Sequence, residues 1–436
     1  MNSLKSVMLL CALFSIKIGI AQSYSNYFIG DTADVETIPL PGIVLAGGAT
    51  DNDDAMIWML QRAAAGDVLV IRASGEDGYN DYFFSDLGVE VNSVETIVFN
   101  SSDAAYDEYV LQQLENCELL FIAGGDQWDY VSMWRNTPVE DKIKYLIHDK
   151  KITIGGTSAG CAIMGDAYFS AENGTVTSAQ ALSNPYHPAM AIGYHDFIDN
   201  AILENTITDT HYNNPDRQGR HAAFLARLVT DFSISAKGIG VNEYTAVCID
   251  ENNLARVFGD YPDYEDFAYF IQTNCIEDNI PETCESGNNL SWIAEELAIK
   301  VAIIAGTTDG SNYFDLNDWQ TANSVFAWQD WWIDNGELKI LSESTPADCN
   351  AVTIISESEE NSISVYPNPA SDFIVVKNIT DDMQITLYNI YGKQIAEEIV
   401  GVNNYITLDL KTVTSGMYFI FVQNGIQSKI FAFQKI

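Results

Sequence analysis

Between residues 41 and 246 short, wholly apolar runs alternate with stretches whose apolar positions recur every three to four residues. GIVLAGG is followed by DDAMIWMLQRAAAG, DVLVIRAS, DAAYDEYVLQQLENC and ELLFIAGG, then VEDKIKYLIHDK, KITIGGTSAG, NTITDTH, GRHAAFLARLV and TAVCID. Strands without polar alternation are buried on both faces, and the intervening helical patterns supply the cover. The pattern predicts a three-layer α/β/α sandwich around a mostly parallel sheet. Over 250–344 it turns irregular, aromatic and acidic, with FAWQDWWIDNGEL as its densest stretch, and reads as an elaboration of the same domain. A polar stretch at 346–360 reads as a linker. Beyond it, 361–436 alternates apolar and polar residues in short runs split by turn residues, the signature of a small all-β sandwich.

Charge narrows the function classes. With 21 Lys+Arg against 61 Asp+Glu the formal net charge is −40, which repels phosphate backbones and anionic lipid and argues against nucleic acid as a partner. The first 21 residues pair Lys5 with an apolar run from Val7 to Ile20 and end in small residues, the pattern of a signal peptide cut near Ala21 or Gln22. No segment is long and apolar enough to predict a membrane span. Export makes disulfides possible, and Cys275 and Cys284, flanking the loop IEDNIPET, are expected to pair. Cys117, Cys161 and Cys248 lie in or beside apolar runs and read as buried thiols.

The sharpest chemical signal is KITIGGTSAGCAIMG at 151–165. A strand, a tight glycine turn and a helix of small residues would raise Ser158 on a nucleophile elbow, with the N–H of Ala159 aimed at an oxyanion. A second strand end, LLFIAGGDQWD, offers the backbone N–H of Gly125 or Asp126 as the other oxyanion donor, and Gln127 towards substrate. Of the five histidines, His148 reads as solvated and His195 and His221 as structural or surface residues, while His187 lies in a loop. His211 closes a strand-like run and is the best general base. Cys161, one helical turn past Ser158, does not suit a cysteine nucleophile. HExxH and CxxC spacings are missing, so neither metal nor cofactor is expected.

Together AGGDQ (123–127), GGTSAG (155–160), DTHYNNPDRQGRHAAFLARL (209–228) and GIGVNEYTAV (238–247) resemble the cyanophycinase and dipeptidase E family of serine peptidases. The resemblance implies a fold similar to class I glutamine amidotransferases. It implies Ser158 as nucleophile, His211 as base and a pocket containing Gln127, Asp209, Thr210, Arg217 and Arg220. For the acid that orients the base, the family's spacing implies Glu172, preferred over Asp196 and Glu204. Asp166 would lie too far along the helix if that helix continued. Where cyanophycinases carry the first of three arginines this chain has Pro215, and Thr210 and Tyr212 flank the histidine. A lost guanidinium removes a bidentate carboxylate contact, which argues for an acidic or β-linked peptide other than the β-aspartyl-arginine polymer.

The tail, with VYPNPASDFIVV, ITLYNIYGKQI, TSGMYFIFV and Lys435, resembles the type IX secretion C-terminal sorting domain of Bacteroidetes. That implies the type IX machinery as partner and a secreted or cell-surface product exported through the periplasm. The expectation is therefore a secreted serine peptidase acting through an acyl-enzyme on a peptide or polymer substrate. The competing expectation is a catalytically silent binding protein that uses its aromatic 320–332 segment.

Overall fold

The computed structural model describes residues 22–347, 349, 364–377, 384–399, 405–424 and 427–436. The leader expected at 1–21 and most of the linker expected at 346–360 lie outside the described residues. The chain divides into two compact units, Met1–Cys349 and Asn350–Ile436.

The larger unit is built on two mixed sheets. In the first, Ser93–Phe99, Asp67–Arg72, Leu119–Ile122, Thr153–Thr157 and Gly42–Ala46 form a parallel centre with antiparallel strands at both edges. These strands are largely apolar because both faces are covered. In Gly42–Ala46, Ile43 and Leu45 enter one core, while Val44 and Ala46 enter another beneath the helix Asp53–Gln61. That helix starts where Asn52 accepts the Ala55 N–H at 3.1 Å. The helices Glu108–Asn116, Gln127–Trp134 and Pro138–Tyr145 supply Val110, Leu114, Val131, Trp134 and Ile143 to the opposite core.

In the second sheet Thr206–Asp209 lies between Lys237–Val241 and Ala167–Phe169, parallel to both. The helix Gln218–Phe232 buries Phe224, Leu225 and Leu228 in the core that this sheet shares with Trp292 and Trp331. The remaining strands of this sheet are antiparallel, and they come largely from the region whose sequence reads as irregular: Phe267–Thr273, Ile299–Ala305, Ala327–Asp334 and Glu337–Leu341. The aromatic stretch is the last hairpin, turning at Asn335 (φ 46°) and Gly336 (φ 82°). A two-residue Asn-Gly turn of this kind matches the twist of antiparallel strands. Trp331 and Ile333 are fully buried in the core, while Phe326 is exposed and Trp328 and Trp332 are half-buried.

The cysteine pairing differs from the expected one. Cys275 is bonded to Cys349, with Cα atoms 5.0 Å apart, and Cys284 is a buried free thiol. Cys284 points inward beside Thr230 and Arg227 of the long helix, where burial raises its pKa. Cys275 is exposed just beyond the strand Phe267–Thr273, on the side to which the chain returns after residue 341. Proximity in sequence is outweighed here by the direction in which each side chain leaves the backbone.

The smaller unit has two antiparallel sheets. One contains Ser364–Tyr366, Phe373–Lys377 and Tyr405–Asp409. The other contains Gln384–Asn389, Gln394–Ile399, Gly416–Asn424 and Gln427–Lys435. Ile374, Val376, Ile385, Leu387, Leu408, Ile420 and Phe433 form its core. Among the described residues no helix is long and apolar enough to cross a membrane.

Candidate active site

Ser158 follows the strand Thr153–Thr157 and has φ 51° and ψ −113°, a conformation that side chains rarely adopt. Two contacts impose it. The Ser158 N–H donates to the Ala46 carbonyl at 3.1 Å, and its own carbonyl accepts from Ala162 at 2.9 Å. Close packing does the rest: a Cβ on Gly156 would lie 2.5 Å from the Gly160 backbone, so the turn closes only without side chains there. The helix that follows, Ala159–Ala162, lasts one turn and does not continue to Asp166.

His211 comes two residues after the strand Thr206–Asp209 and accepts Ser158: Oγ and Nε2 are 2.8 Å apart. Its Nδ1 lies 2.6 Å from Oε1 of Glu243. The register explains this meeting. Asp209 pairs with Gly240 on the parallel neighbour Lys237–Val241, so His211 and Glu243, just past the ends of adjacent strands, emerge side by side. The Glu243 carboxyl is held below the usual range, first by its hydrogen bond with His211 and further by Asn214, whose Nδ2 donates to Oε2 at 3.1 Å. The Asn213 side chain accepts the Glu243 backbone N–H at 3.1 Å.

Glu172, expected as the acid, is not at the histidine. The chain turns at Ala171 (φ 54°) beyond the strand Ala167–Phe169, and Glu172 is exposed, with its N–H donating to Ser170 Oγ at 3.3 Å. Asp166 holds His195 at 2.7 Å and Asp196 holds Arg135 at 2.9 Å, so both are occupied elsewhere. The signal for Glu243 lay in GIGVNEYTAV: an acid two residues past a strand that neighbours the histidine's strand. Sequence reasoning also passed over Gly48. It has φ 98°, and a Cβ there would lie 2.5 Å from His211 Nε2 and 3.1 Å from Ser158 Cβ.

The residues expected to line a pocket separate into two groups. Gln127 is half-buried at the start of the helix Gln127–Trp134 and donates to the Phe169 carbonyl at 3.4 Å. Gly124 lies beside the serine, with a Cβ there reaching Ser158 Cβ at 3.5 Å. Gly125 and Asp126 are exposed at the same strand end, and the Asp126 side chain caps the helix by accepting the Trp128 N–H. Arg217 is half-buried, donates to the Thr210 carbonyl at 2.8 Å and adds its charge to the field at Glu243.

Asp209, Thr210 and Arg220, in contrast, are only 2, 3 and 3 % exposed. Arg220 grips Asp209 with a forked pair of hydrogen bonds, Nε to Oδ2 at 2.8 Å and Nη2 to Oδ1 at 2.5 Å, and also reaches the Val176 carbonyl. Burial alone would raise the Asp209 pKa, but Arg220 outweighs it and the net shift is downward. These residues form a floor under the histidine turn rather than an open pocket, because their polar groups are spent on one another.

Cys161 is fully buried below the elbow, and burial pushes its thiol well up, leaving no thiolate to compete with Ser158. His221 is also fully buried, with a pKa lowered to about 4 by burial, and His187 accepts a local N–H from Ala189. Among the described residues no three His, Cys, Asp or Glu side chains are grouped to hold a metal.

Residues 77–257 match the model for Peptidase family S51, and residues 364–435 match the secretion system C-terminal sorting domain. Over 232 residues the chain is 27 % identical to a cyanophycinase of Synechococcus elongatus, covering 50 % of this chain and 66 % of that one. It is 28 % identical over 180 residues to a cyanophycinase of Geminocystis herdmanii, covering 40 % and 58 %. The chain thus spans less than two thirds of the length of these relatives. A solved peptidase from an acI-B1 Actinobacterium overlaps 51 % of this chain and 89 % of its own at 16 % identity, with a TM-score of 0.38.

Proposed function

We propose, from the premise that the chain carries a Peptidase family S51 domain followed by a secretion system C-terminal sorting domain, that it is a secreted serine peptidase working through Ser158, His211 and Glu243. One observation carries the reading: Ser158 Oγ, His211 Nε2 and Nδ1, and Glu243 Oε1 form a continuous hydrogen-bonded line of 2.8 and 2.6 Å on a strained elbow. Glu243, kept ionised, fixes the proton on Nδ1 and turns the Nε2 lone pair to the serine hydroxyl. His211 takes the Oγ proton as Oγ attacks the scissile carbonyl, then passes that proton to the leaving amine. Water, deprotonated by the same nitrogen, releases the acyl group. The N–H of Ala159 is a first-turn helix donor with no partner inside its helix, and with Gly125 or Asp126 it receives the oxyanion.

The substrate is an acidic or β-aspartyl peptide bond, with Gln127 and Arg217 as its polar contacts. Pro215 stands where the related cyanophycinases would supply a further guanidinium, so the β-aspartyl-arginine polymer is a poor substrate. Sorting is the task of the smaller unit, and the catalytic unit needs none of it for chemistry. The experiment is a hydrolysis comparison of cyanophycin, β-Asp-Arg and N-terminal-Asp peptides by wild type and Pro215→Arg. A gain towards β-Asp-Arg in the variant is expected, whereas efficient cyanophycin hydrolysis by wild type with no gain would overturn the selectivity argument.

A further inference from the structure

The strand Tyr24–Gly30 forms one edge of the first sheet, antiparallel to Ser93–Phe99, and its register sets Phe28 directly opposite Glu95. On the other side Glu95 is paired with Leu69 of the strand Asp67–Arg72. Directly paired residues face the same way, so the three side chains share one face of the sheet. They line a cavity of about 180 Å³ bounded also by residues 31–34 and the helix Glu108–Asn116. Residues 31–34 are tied to the sheet: the Asp31 N–H donates to the Asn92 carbonyl at 3.0 Å, and Asn92 Nδ2 donates to the Ala33 carbonyl at 2.9 Å. The cavity lies at the amino ends of the parallel strands, whereas Ser158 follows the carboxyl end of Thr153–Thr157, so what the cavity does is independent of the peptidase reading.

Glu95 is 3 % exposed, and only half of its carboxyl is satisfied. Oε1 accepts from Asn26 Nδ2 and from the Tyr109 hydroxyl, each at 2.8 Å, whereas Oε2 is buried and has no hydrogen-bond partner. Burial raises the Glu95 pKa, and those two hydrogen bonds offset the rise only in part. The Asp and Glu side chains that line the cavity, Asp31, Asp34, Asp67 and Glu95, meet no Lys, Arg or His there. Asp67 is spent on the fold, accepting from Ser93 Oγ, Asn92 Nδ2 and the Val35 N–H, which leaves Glu95 Oε2 without a counterpart. An anion would be repelled here, and an apolar ligand would strand the carboxyl away from water. A divalent metal is poorly served, since no three His, Cys, Asp or Glu side chains among the described residues are grouped to hold one. An ammonium group on a short alkyl stem fits each feature: its N–H supplies the donor that Oε2 lacks, its charge is balanced by the acids, and Phe28 and Leu69 receive the stem.

We propose that this cavity is a binding site for a small organic amine, whose ammonium group pairs with Glu95 between Phe28 and Leu69. The experiment is a saturation-transfer NMR titration of the full chain with n-butylammonium chloride and with its neutral counterpart, 1-butanol. The ammonium probe is expected to bind about tenfold more tightly than the alcohol, the gain of a hydrogen bond to a buried charged group. Glu95→Gln keeps an acceptor for Asn26 and Tyr109 but removes the charge, and should bring the two probes within about twofold of each other. Asp260→Asn/Asp263→Asn removes two exposed charges elsewhere and should leave the preference intact. Should Glu95→Gln lower the melting temperature, Phe28→Leu decides instead: at a 39 % exposed position it keeps an apolar residue but no ring, and the preference should fall severalfold. Equal affinity of the wild type for the two probes would overturn the proposal. So would a preference that survives in a folded Glu95→Gln, or one untouched by Phe28→Leu, since the net charge of −40 would then account for it.

Discussion

The turns that carry Ser158 and His211 meet at 2.8 Å, but they are held in opposite ways. The serine turn is fixed by main chain alone: Ser158 hydrogen-bonds to Ala46 on the neighbouring strand and to Ala162 of its own helix, and Gly156 packs directly on the Gly160 backbone. The histidine turn is fixed from outside. Its N–H groups at His211 and Tyr212 reach the Gly47 and Val241 carbonyls, Arg217 holds the Thr210 carbonyl, and the buried Asp209–Arg220 pair lies beneath. A local steric device tolerates loss of its reactive atom without loss of fold. A turn supported by distributed polar contacts fails through stability when one support is removed.

The sharpest separation of the two regions should come from the reacting atoms. Ser158→Ala and His211→Ala are each expected to lower kcat by on the order of 10⁴-fold, with the double variant little worse than either. Thermal unfolding should stay near wild type in both. A matching loss of melting temperature would show that the histidine turn is not held from outside.

Next in size is the support itself. Arg220→Ala removes the forked partner of buried Asp209, leaving only Arg217 at 3.6 Å, and should cost about 3–5 kcal/mol in denaturant titration. Arg217→Ala, at a half-buried position, should cost clearly less while still lowering activity. Equal destabilisation by the two would erase the distinction between floor and pocket.

A smaller effect tests the same helix through pH. His221 has a folded pKa of about 4 against an ordinary 6.5, so its neutral form is the one the fold accepts. Between these values the unfolded chain binds a proton that the folded chain refuses. Stability is therefore full above about pH 6.5 and falls as pH drops towards 4, by about 3 kcal/mol from this group alone. Asp209, with its pKa lowered, keeps its contribution through this window and loses it only in stronger acid. Unfolding free energies from pH 7 to 4.5 should show that slope in wild type and a flatter one in His221→Asn.

The same contrast explains what the sequence made legible. The serine elbow is written in consecutive residues, Gly155 to Gly160, and the alternation of apolar runs and helical periods gave both the layered fold and the strand end that carries His211. Glu243 lies inside a legible motif, but its approach to His211 depends on the pairing of Lys237–Val241 with Thr206–Asp209, which no local pattern encodes. A fixed spacing from the serine pointed instead to Glu172, on a loop that turns away. The Cys275–Cys349 bond joins residues separated by 74 positions, and the strands Phe267–Thr273 and Ile299–Ala305 pair across a long polar loop, so neither leaves a local pattern. Arg217 and Arg220 look equivalent in sequence, and only the helix Gln218–Phe232 determines that one faces inward.

The account rests on Ser158 being driven by His211 through Glu243. The most direct measurement is the rate at which a fluorophosphonate probe labels the protein, with the adduct located by peptide mass spectrometry in wild type, Glu243→Gln and Glu172→Gln. The account predicts a single adduct on Ser158, formed at wild-type rate in Glu172→Gln and on the order of 10²-fold or more slower in Glu243→Gln. No adduct on Ser158, or a slowing confined to Glu172→Gln, would contradict it.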